Sequence, residues 1–419
     1  MKWCGRGSGA AHRAKTGAER GWRPRGLTVI CLWATLLVTG CSVLPFHREP
    51  PRPGRTTLGS PLIILPAETV GNYLIVEAKW DREGPYRFLV DTGTSITLVT
   101  PALARRYPGR TAPPSTAPRV PVKGANGEMT ELPATSLRRL ELGAARFDEV
   151  PALIYDCAPL SAHLGIKIDG VLGFPLFRET LLTLDYPGKR VLLQPASSHA
   201  LVPGTVIGFD DQSKVPLIQV RLGQRTFAAL IDSGSDSTFS LNPVGLSPQF
   251  AEPPRLGATV GTITAGDRVE RLGRLAEPIA LGTQIFEQPI VDLTDELSAV
   301  GGGMLRHFAV TFDQEHNRVT FHRESRESIA TPARRSAGVS FSKTPAYWKI
   351  AGVIPGSPAE GAGIRAGELV TRINGESVAR WDLRRYEELV AKADELSLTF
   401  LNGAAETEPK RVRIFELVP

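Results

Sequence analysis

The chain repeats itself once, and that repeat constrains its fold more than any other feature. Tyr73-Leu-Ile-Val-Glu-Ala leads to Phe88-Leu-Val-Asp-Thr-Gly-Thr-Ser95, and Pro216-Leu-Ile-Gln-Val-Arg leads to Ala229-Leu-Ile-Asp-Ser-Gly-Ser-Asp236. Leu142-Gly-Ala-Ala-Arg-Phe147 followed by Pro151 returns as Leu281-Gly-Thr-Gln-Ile-Phe286 followed by Pro289. Gly170-Val-Leu-Gly-Phe, Leu184-Asp185 and Arg190-Val-Leu-Leu then return as Gly302-Gly-Met-Leu, Phe312-Asp313 and Arg318-Val-Thr-Phe. Landmarks recurring in one order imply two similar halves, near residues 61–197 and 198–323. Within each, short β-rich runs are broken by Gly, Pro, Asn and Asp, the texture of a small antiparallel barrel or sandwich. Two such halves facing each other bury more surface than either alone and leave a cleft between them.

A carboxylate in Asp-Thr-Gly after apolar residues sits where a buried strand meets a tight turn, and Gly93 or Gly234 permits close backbone approach. One such triplet is ordinary turn chemistry. Two, related by an internal twofold, bring Asp91 against Asp232 although 141 residues separate them. Like charges that close do not both ionise readily, so the pair shares a proton. One carboxylate then takes a proton from water while the other donates to a peptide carbonyl. Neither a metal nor another cofactor is required.

These residues resemble the aspartic peptidases of the pepsin and retropepsin clan, over about residues 61–323. Each Asp triplet is followed by an apolar-apolar-Gly element, Val171-Leu172-Gly173 and, more loosely, Gly301 to Leu305. The compact halves look like two fused retropepsin-type units. The fold expected is mainly β: a bilobal pair of aspartic-peptidase β-barrels with an active-site cleft. The resemblance makes Asp91 and Asp232 the catalytic pair, has Thr92 and Ser233 bond across the lobes, and has the Thr94 and Ser235 hydroxyls bond the carboxylates. It puts Asp236 on substrate backbone. It also implies flaps over the cleft, for which Gly124-Ala-Asn-Gly127 and Gly261-Thr-Ile-Thr-Ala-Gly266 are the Gly-rich candidates; plain hairpin turns are the alternative.

Residues 324–336, charged and interrupted by Pro332, read as a linker. Beyond it, Gly352-Val-Ile-Pro-Gly-Ser-Pro-Ala359 and Leu369-Val-Thr-Arg-Ile-Asn-Gly375 frame strand, short helix, strand and an Asn-Gly hairpin turn; residues 381–393 have helical spacing and 396–401 return to strand. Residues 337–419 resemble a PDZ domain of the bacterial peptidase-associated type. Such domains add a peptide as a strand beside a helix. The resemblance places the carboxylate loop at Ala337-Gly338-Val339-Ser340, so Gly338 and Val339 would contact a peptide end; Ala337 stands where the common pattern is bulky. A purely structural module is the alternative.

The formal charge is +6, which invites a polyanion as partner. Yet seven of the 49 Lys and Arg residues, and one of the 43 Asp and Glu, stand in residues 1–40, leaving 42 of each sign. Nucleic acid is therefore not an expected partner. The basic run enters an apolar stretch, Leu27 to Gly40, too short for a comfortable permanent span, so residues 1–40 read as a signal peptide. Val38-Thr39-Gly40-Cys41 resembles the bacterial lipobox, which implies lipid on Cys41, a membrane anchor, and, with Ser42 next, an outer-membrane lipoprotein facing the periplasm. Residues 41–60 read as a tether. Of four cysteines only Cys157 lies beyond these segments, so no disulfide framework is expected and Cys157 reads as a small buried hydrophobe.

The sequence therefore reads as an aspartic endopeptidase acting on peptides or unfolded proteins in the cell envelope, its PDZ module binding substrate or partner peptides. The rival is a catalytically silent, lipid-anchored peptide-binding scaffold. Two intact triplets argue against it, because buried like charges cost stability. His-Glu-x-x-His, a zinc-spaced Cys pair, a phosphate loop and a Gly-x-Ser-x-Gly turn are all absent.

Overall fold

A computed structural model of the chain describes residues 54–106, 116–124, 129–197, 202–262, 266–325 and 327–419, which belong to one compact unit. The signal segment and Cys41 lie outside the described residues. No helix among the described residues is long and apolar enough to cross a membrane.

In the first half, Tyr73–Trp80 pairs antiparallel with Ile63–Val70 and with Glu83–Asp91. Glu83–Asp91 then runs parallel to Gly170–Gly173, with Asp91 opposite Gly173. The second half repeats this: Leu217–Leu222 pairs with Arg225–Asp232, which runs parallel to Ala299–Gly301 with Asp232 opposite Gly301. Thr97–Val99 and Phe239–Leu241 are likewise equivalent, each antiparallel to its Gly-ended strand and parallel to one further strand. This register corrects one landmark. The partner of Val171-Leu172-Gly173 is Ala299-Val300-Gly301, two residues before the expected element, and Gly302–Leu305 is a helical turn instead.

One ladder is built jointly by the two halves. Thr180–Asp185 pairs with Arg190–Pro195 on one side and with Ala309–Asp313 on the other. Ile63–Val70 extends it at one end, and Arg318–His322 followed by Thr205–Asp210 at the other. At its centre Thr183 faces Thr311, hydroxyl to hydroxyl at 2.8 Å, where the internal twofold crosses the sheet. One apolar cluster runs through both halves, from Phe88 and Phe147 through Phe174 and Leu182 to Ile231, Phe286 and Phe312. Phe174 packs edge-on against Phe312 (5.3 Å between centroids) and Phe209 (5.8 Å).

Two readings of the connecting segments change. Thr56–Leu58, at the end of the expected tether, is a strand paired with Ala145 to Phe147. The expected linker is also structured: Ile329 is buried as its short strand runs parallel to Gln284–Glu287, and Arg334–Ser336 pairs with Phe415–Val418. An isolated apolar residue among charges was enough to dock the segment.

The C-terminal module is a sheet of Val339–Lys343, Trp348–Val353, Leu369–Ile373, Glu395–Asn402 and further short strands, with helices Pro358–Gly361 and Leu383–Lys392. Asp382 caps the longer helix through the Arg385 amide at 2.8 Å. Asn374 and Gly375 both have positive φ (51° and 76°), the turn that a two-residue hairpin requires. The module leans on both halves. Leu383 joins a cluster with Val70, Tyr73, Leu160 and Leu164 of the first; Ile354, Leu417 and Val418 pack with Leu272 and Ile290 of the second.

Because the Phe174 ring fills the seam between the halves, Phe174→Ala should cost about 3–5 kcal/mol. Urea titration of the full chain measures it as a lowered midpoint.

Candidate active site

Each Asp-Thr/Ser-Gly turn is held by the other. The Thr92 amide donates to Ser233 Oγ at 2.9 Å and the Ser233 amide donates to Thr92 Oγ1 at 3.0 Å. The two hydroxyls in turn donate past each other, Thr92 to the Ile231 carbonyl at 2.7 Å and Ser233 to the Val90 carbonyl at 2.8 Å. Four hydrogen bonds between two buried side chains and the opposite backbone thus clamp the turns face to face. A methyl or longer side chain cannot enter here: a Cβ on Gly93 would lie 2.5 Å from Asp232 Oδ1, and one on Gly234 would lie 2.4 Å from Asp91 Cγ. Each carboxylate therefore rests over the other turn's glycine.

The two carboxylates are not equivalent. Asp91 accepts from the Thr94 hydroxyl at 2.5 Å and from the Gly93 amide at 2.8 Å. Asp232 accepts from the Gly234 amide at 2.9 Å. Ser235, expected to bond Asp232, instead shares a hydrogen bond with Ser237 Oγ at 2.9 Å, and Ser237 continues to Ser240 at 3.1 Å. The second turn is rich in hydroxyls, and they satisfy one another. Burial raises both carboxyls above the ordinary range; for Asp91 the Thr94 and Gly93 bonds oppose it, whereas for Asp232 the Asp91 charge adds to it. The two carboxyls lie close enough to share a proton, and their different hydrogen-bond partners make the two sites unequal.

Asp236 stands at one end of this centre. Asn72, from the first half, donates to its carbonyl at 2.9 Å, and His163 Nε2 lies 3.8 Å from its carboxylate. Burial works to raise the Asp236 carboxyl, but the His163 contact and the Arg334 charge outweigh it and leave the group below its usual value. Neither Asn72 nor His163 carried a sequence signal: one sits in a two-residue turn, the other on a short helix far along the chain, and only the fold unites them.

The flap candidates fall at hairpin ends. Arg119–Lys123 pairs with Met129–Leu142, with Gly124 buried just beyond; Gly127 lies outside the described residues. Lys123 reaches Glu296 of the other half at 3.6 Å. Gly261 and Gly266 belong to the paired strands Arg255–Thr262 and Gly266–Arg274. That second hairpin is packed against the C-terminal module, where Arg255 donates to the Leu417 carbonyl at 3.1 Å.

In the module, the Gly338 amide donates to Ser336 Oγ at 2.9 Å, so it is not free to receive a peptide carboxylate as expected. Gly338 has φ of +79°, and a Cβ there would meet Ser357 Oγ at 2.6 Å. Val339 is buried and pairs with Val353. Cys157 is buried, and that burial pushes its thiol up to about 12, far from thiolate chemistry. Among the described residues no group of three or more His, Cys, Asp or Glu side chains is placed to hold a metal ion.

Comparison with known families gives two matches. Residues 76–176 match the aspartyl protease family model and residues 349–401 match the PDZ domain model. The chain carries an aspartyl protease domain and a PDZ domain. The protease match contains Asp91 and Gly173, while Asp232 lies beyond its end. No curated protein matches the chain. A hydrolase domain of the aspartyl protease kind is thus joined to a peptide-binding module, in a mainly β structure.

Removing either clamp hydroxyl leaves buried amide donors unpaired, so Thr92→Ala and Ser233→Ala should each cost the aspartyl protease domain about 1–3 kcal/mol, read by chemical denaturation. The dyad itself carries a stability cost that depends on pH. A carboxyl whose folded value is raised keeps its proton while the unfolded chain, with an ordinary value of 3.8, releases it. Stability therefore falls as pH rises above that value. Asp232→Asn should melt above the parent protein at neutral pH, and the difference should close on acidification toward pH 3.8.

Proposed function

We propose that this protein is an aspartic endopeptidase that hydrolyses peptides or unfolded proteins in the bacterial cell envelope, with Asp91 and Asp232 as its catalytic dyad. The observation that carries the reading is the reciprocal clamp of Thr92 and Ser233, which sets each carboxylate against the glycine of the opposite turn. A scaffold that only binds peptides has no use for a pair of mutually repelling buried carboxyls.

The chemistry follows from the asymmetry. Water between the carboxylates gives a proton to ionised Asp91 as its oxygen attacks the peptide carbonyl carbon. Protonated Asp232 gives its proton to the carbonyl oxygen, producing a neutral tetrahedral diol. The C–N bond then breaks: Asp91 passes its proton to the leaving nitrogen, and Asp232 recovers one from a diol hydroxyl. Substrate backbone at the Asp236 end would be oriented by that residue. The flanking modules supply address and recognition: lipid on Cys41 holds the protein on the outer membrane facing the periplasm, and the PDZ domain binds substrate or partner peptides.

Incubating purified residues 42–419 with unfolded protein and peptide libraries tests this. Internal cleavage should occur, with a bell-shaped pH profile whose two limbs belong to the pair as a whole. Asp91→Asn and Asp232→Asn should each lower kcat by about a thousandfold or more, as loss of a general acid or base does. Cleavage unchanged in Asp91→Asn overturns the dyad; absence of cleavage from every library supports the silent scaffold.

A further inference from the structure

The PDZ domain turns its peptide groove inward. Val339–Lys343 is an edge strand, paired only with Trp348–Val353 among the described residues, so its other side offers free backbone donors and acceptors. Facing it is the Leu383–Lys392 helix, whose Leu383, Tyr386, Glu387 and Val390 fall on one stripe at helical spacing. This groove faces the protease halves. It lines a cavity of about 970 Å³ that is also lined by Asn72, His163, Asp236, Ser237 and Thr238, at the end of the candidate catalytic centre. The volume stands at the upper limit of about 1,000 Å³ for pockets that enclose a drug-sized ligand, so several residues of extended peptide fit within it.

Three contacts keep the groove in this orientation. Lys343, the last residue of the edge strand, donates to the His163 carbonyl at the end of the Ala158–Leu164 helix, a favourable place for a cation. Leu383 packs into the first half beside Tyr73 and Leu160. Leu417 and Val418 pack on Leu272 of the second-half hairpin. The Arg334 side chain lines the cavity with no hydrogen bond or ion pair among the described residues, within the field of Glu270, Asp236, Glu387 and Asp292. The cavity wall therefore holds charges of both signs beside an apolar groove, as a polypeptide with mixed side chains requires.

We propose that the PDZ groove and the catalytic cleft are one continuous peptide site. A single extended substrate lies across the aspartate pair, passes Asp236, and continues as an added strand on Val339–Lys343. The inference rests on the peptidase reading for its substrate class, an unfolded or extended polypeptide long enough to span both parts. A peptide held by the PDZ domain is then the substrate itself and not a separate regulator.

Two measurements on the full chain test it. First, Asp232→Asn protein is mixed with a long cleavable-sequence peptide that carries a photo-crosslinker toward one end. Crosslinks should fall on Val339–Lys343 or Leu383–Lys392, native mass spectrometry should count one peptide per chain, and a short peptide that fills only the cleft should be displaced. Crosslinks confined to the protease halves, or simultaneous binding of both peptides, overturn the proposal. Second, Val390→Arg, which crowds the groove, should lower the ratio of kcat/KM for long over short substrates by about tenfold, some 1.4 kcal/mol of lost binding; an unchanged ratio overturns it. Should the parent protein cleave nothing, the peptidase reading fails, yet crosslinking and stoichiometry still decide whether the two grooves are one site.

Discussion

Everything at the centre of this molecule depends on two hydroxyls. Thr92 and Ser233 each accept an amide hydrogen bond from the other's backbone and donate to the carbonyl two residues before the other. The arrangement is self-complementary, so it is completed only when both halves are folded and registered. Net hydrogen bonds contribute about 1 kcal/mol apiece, which is modest. Their larger effect is geometric: they fix the separation of two buried carboxyls that would otherwise repel. The pair is thus maintained against its own electrostatics by neighbours that carry no charge.

Symmetry supplies the scaffold and its small breaches supply the chemistry. Both aspartates end a strand, oppose a glycine on a parallel neighbour and accept an amide bond from their own turn. Only Asp91 has a hydroxyl donor, because Thr94 turns inward while Ser235 turns to Ser237. One hydrogen bond of difference makes the two carboxyls chemically unequal. Asp236 breaks the symmetry again, standing where Ser95 stands in the first turn, and it draws His163 and Asn72 to one end of the centre only.

Much of this was legible in the sequence because it is local. The strand-to-turn pattern before Asp91 and Asp232, the Asn374-Gly375 hairpin and the helix after Asp382 are set by neighbouring residues. What was not legible depends on surfaces that meet late. Ser235 has the right type and position to bond a carboxylate, and only the adjacent hydroxyls of Ser237 and Ser240 decide otherwise. The second glycine element was displaced by two residues because three consecutive glycines masked the shorter Ala299-Val300-Gly301. The charged stretch before the PDZ domain looked like a linker, yet Ile329 anchors it to the protease domain and Arg334–Ser336 pairs with the last strand of the PDZ domain. No periodicity reveals that the PDZ groove faces inward; Lys343 and Leu383 read as ordinary surface and helix residues until the first half is placed against them.

The sheet shared by the two halves has a mechanical meaning. Its strands from the two halves form one uninterrupted ladder, closed at Thr183 and Thr311, so the halves cannot swing apart like jaws without tearing backbone hydrogen bonds. Admission and escape of a polypeptide must then be handled elsewhere, by the hairpins and by the PDZ domain packed on the second of them.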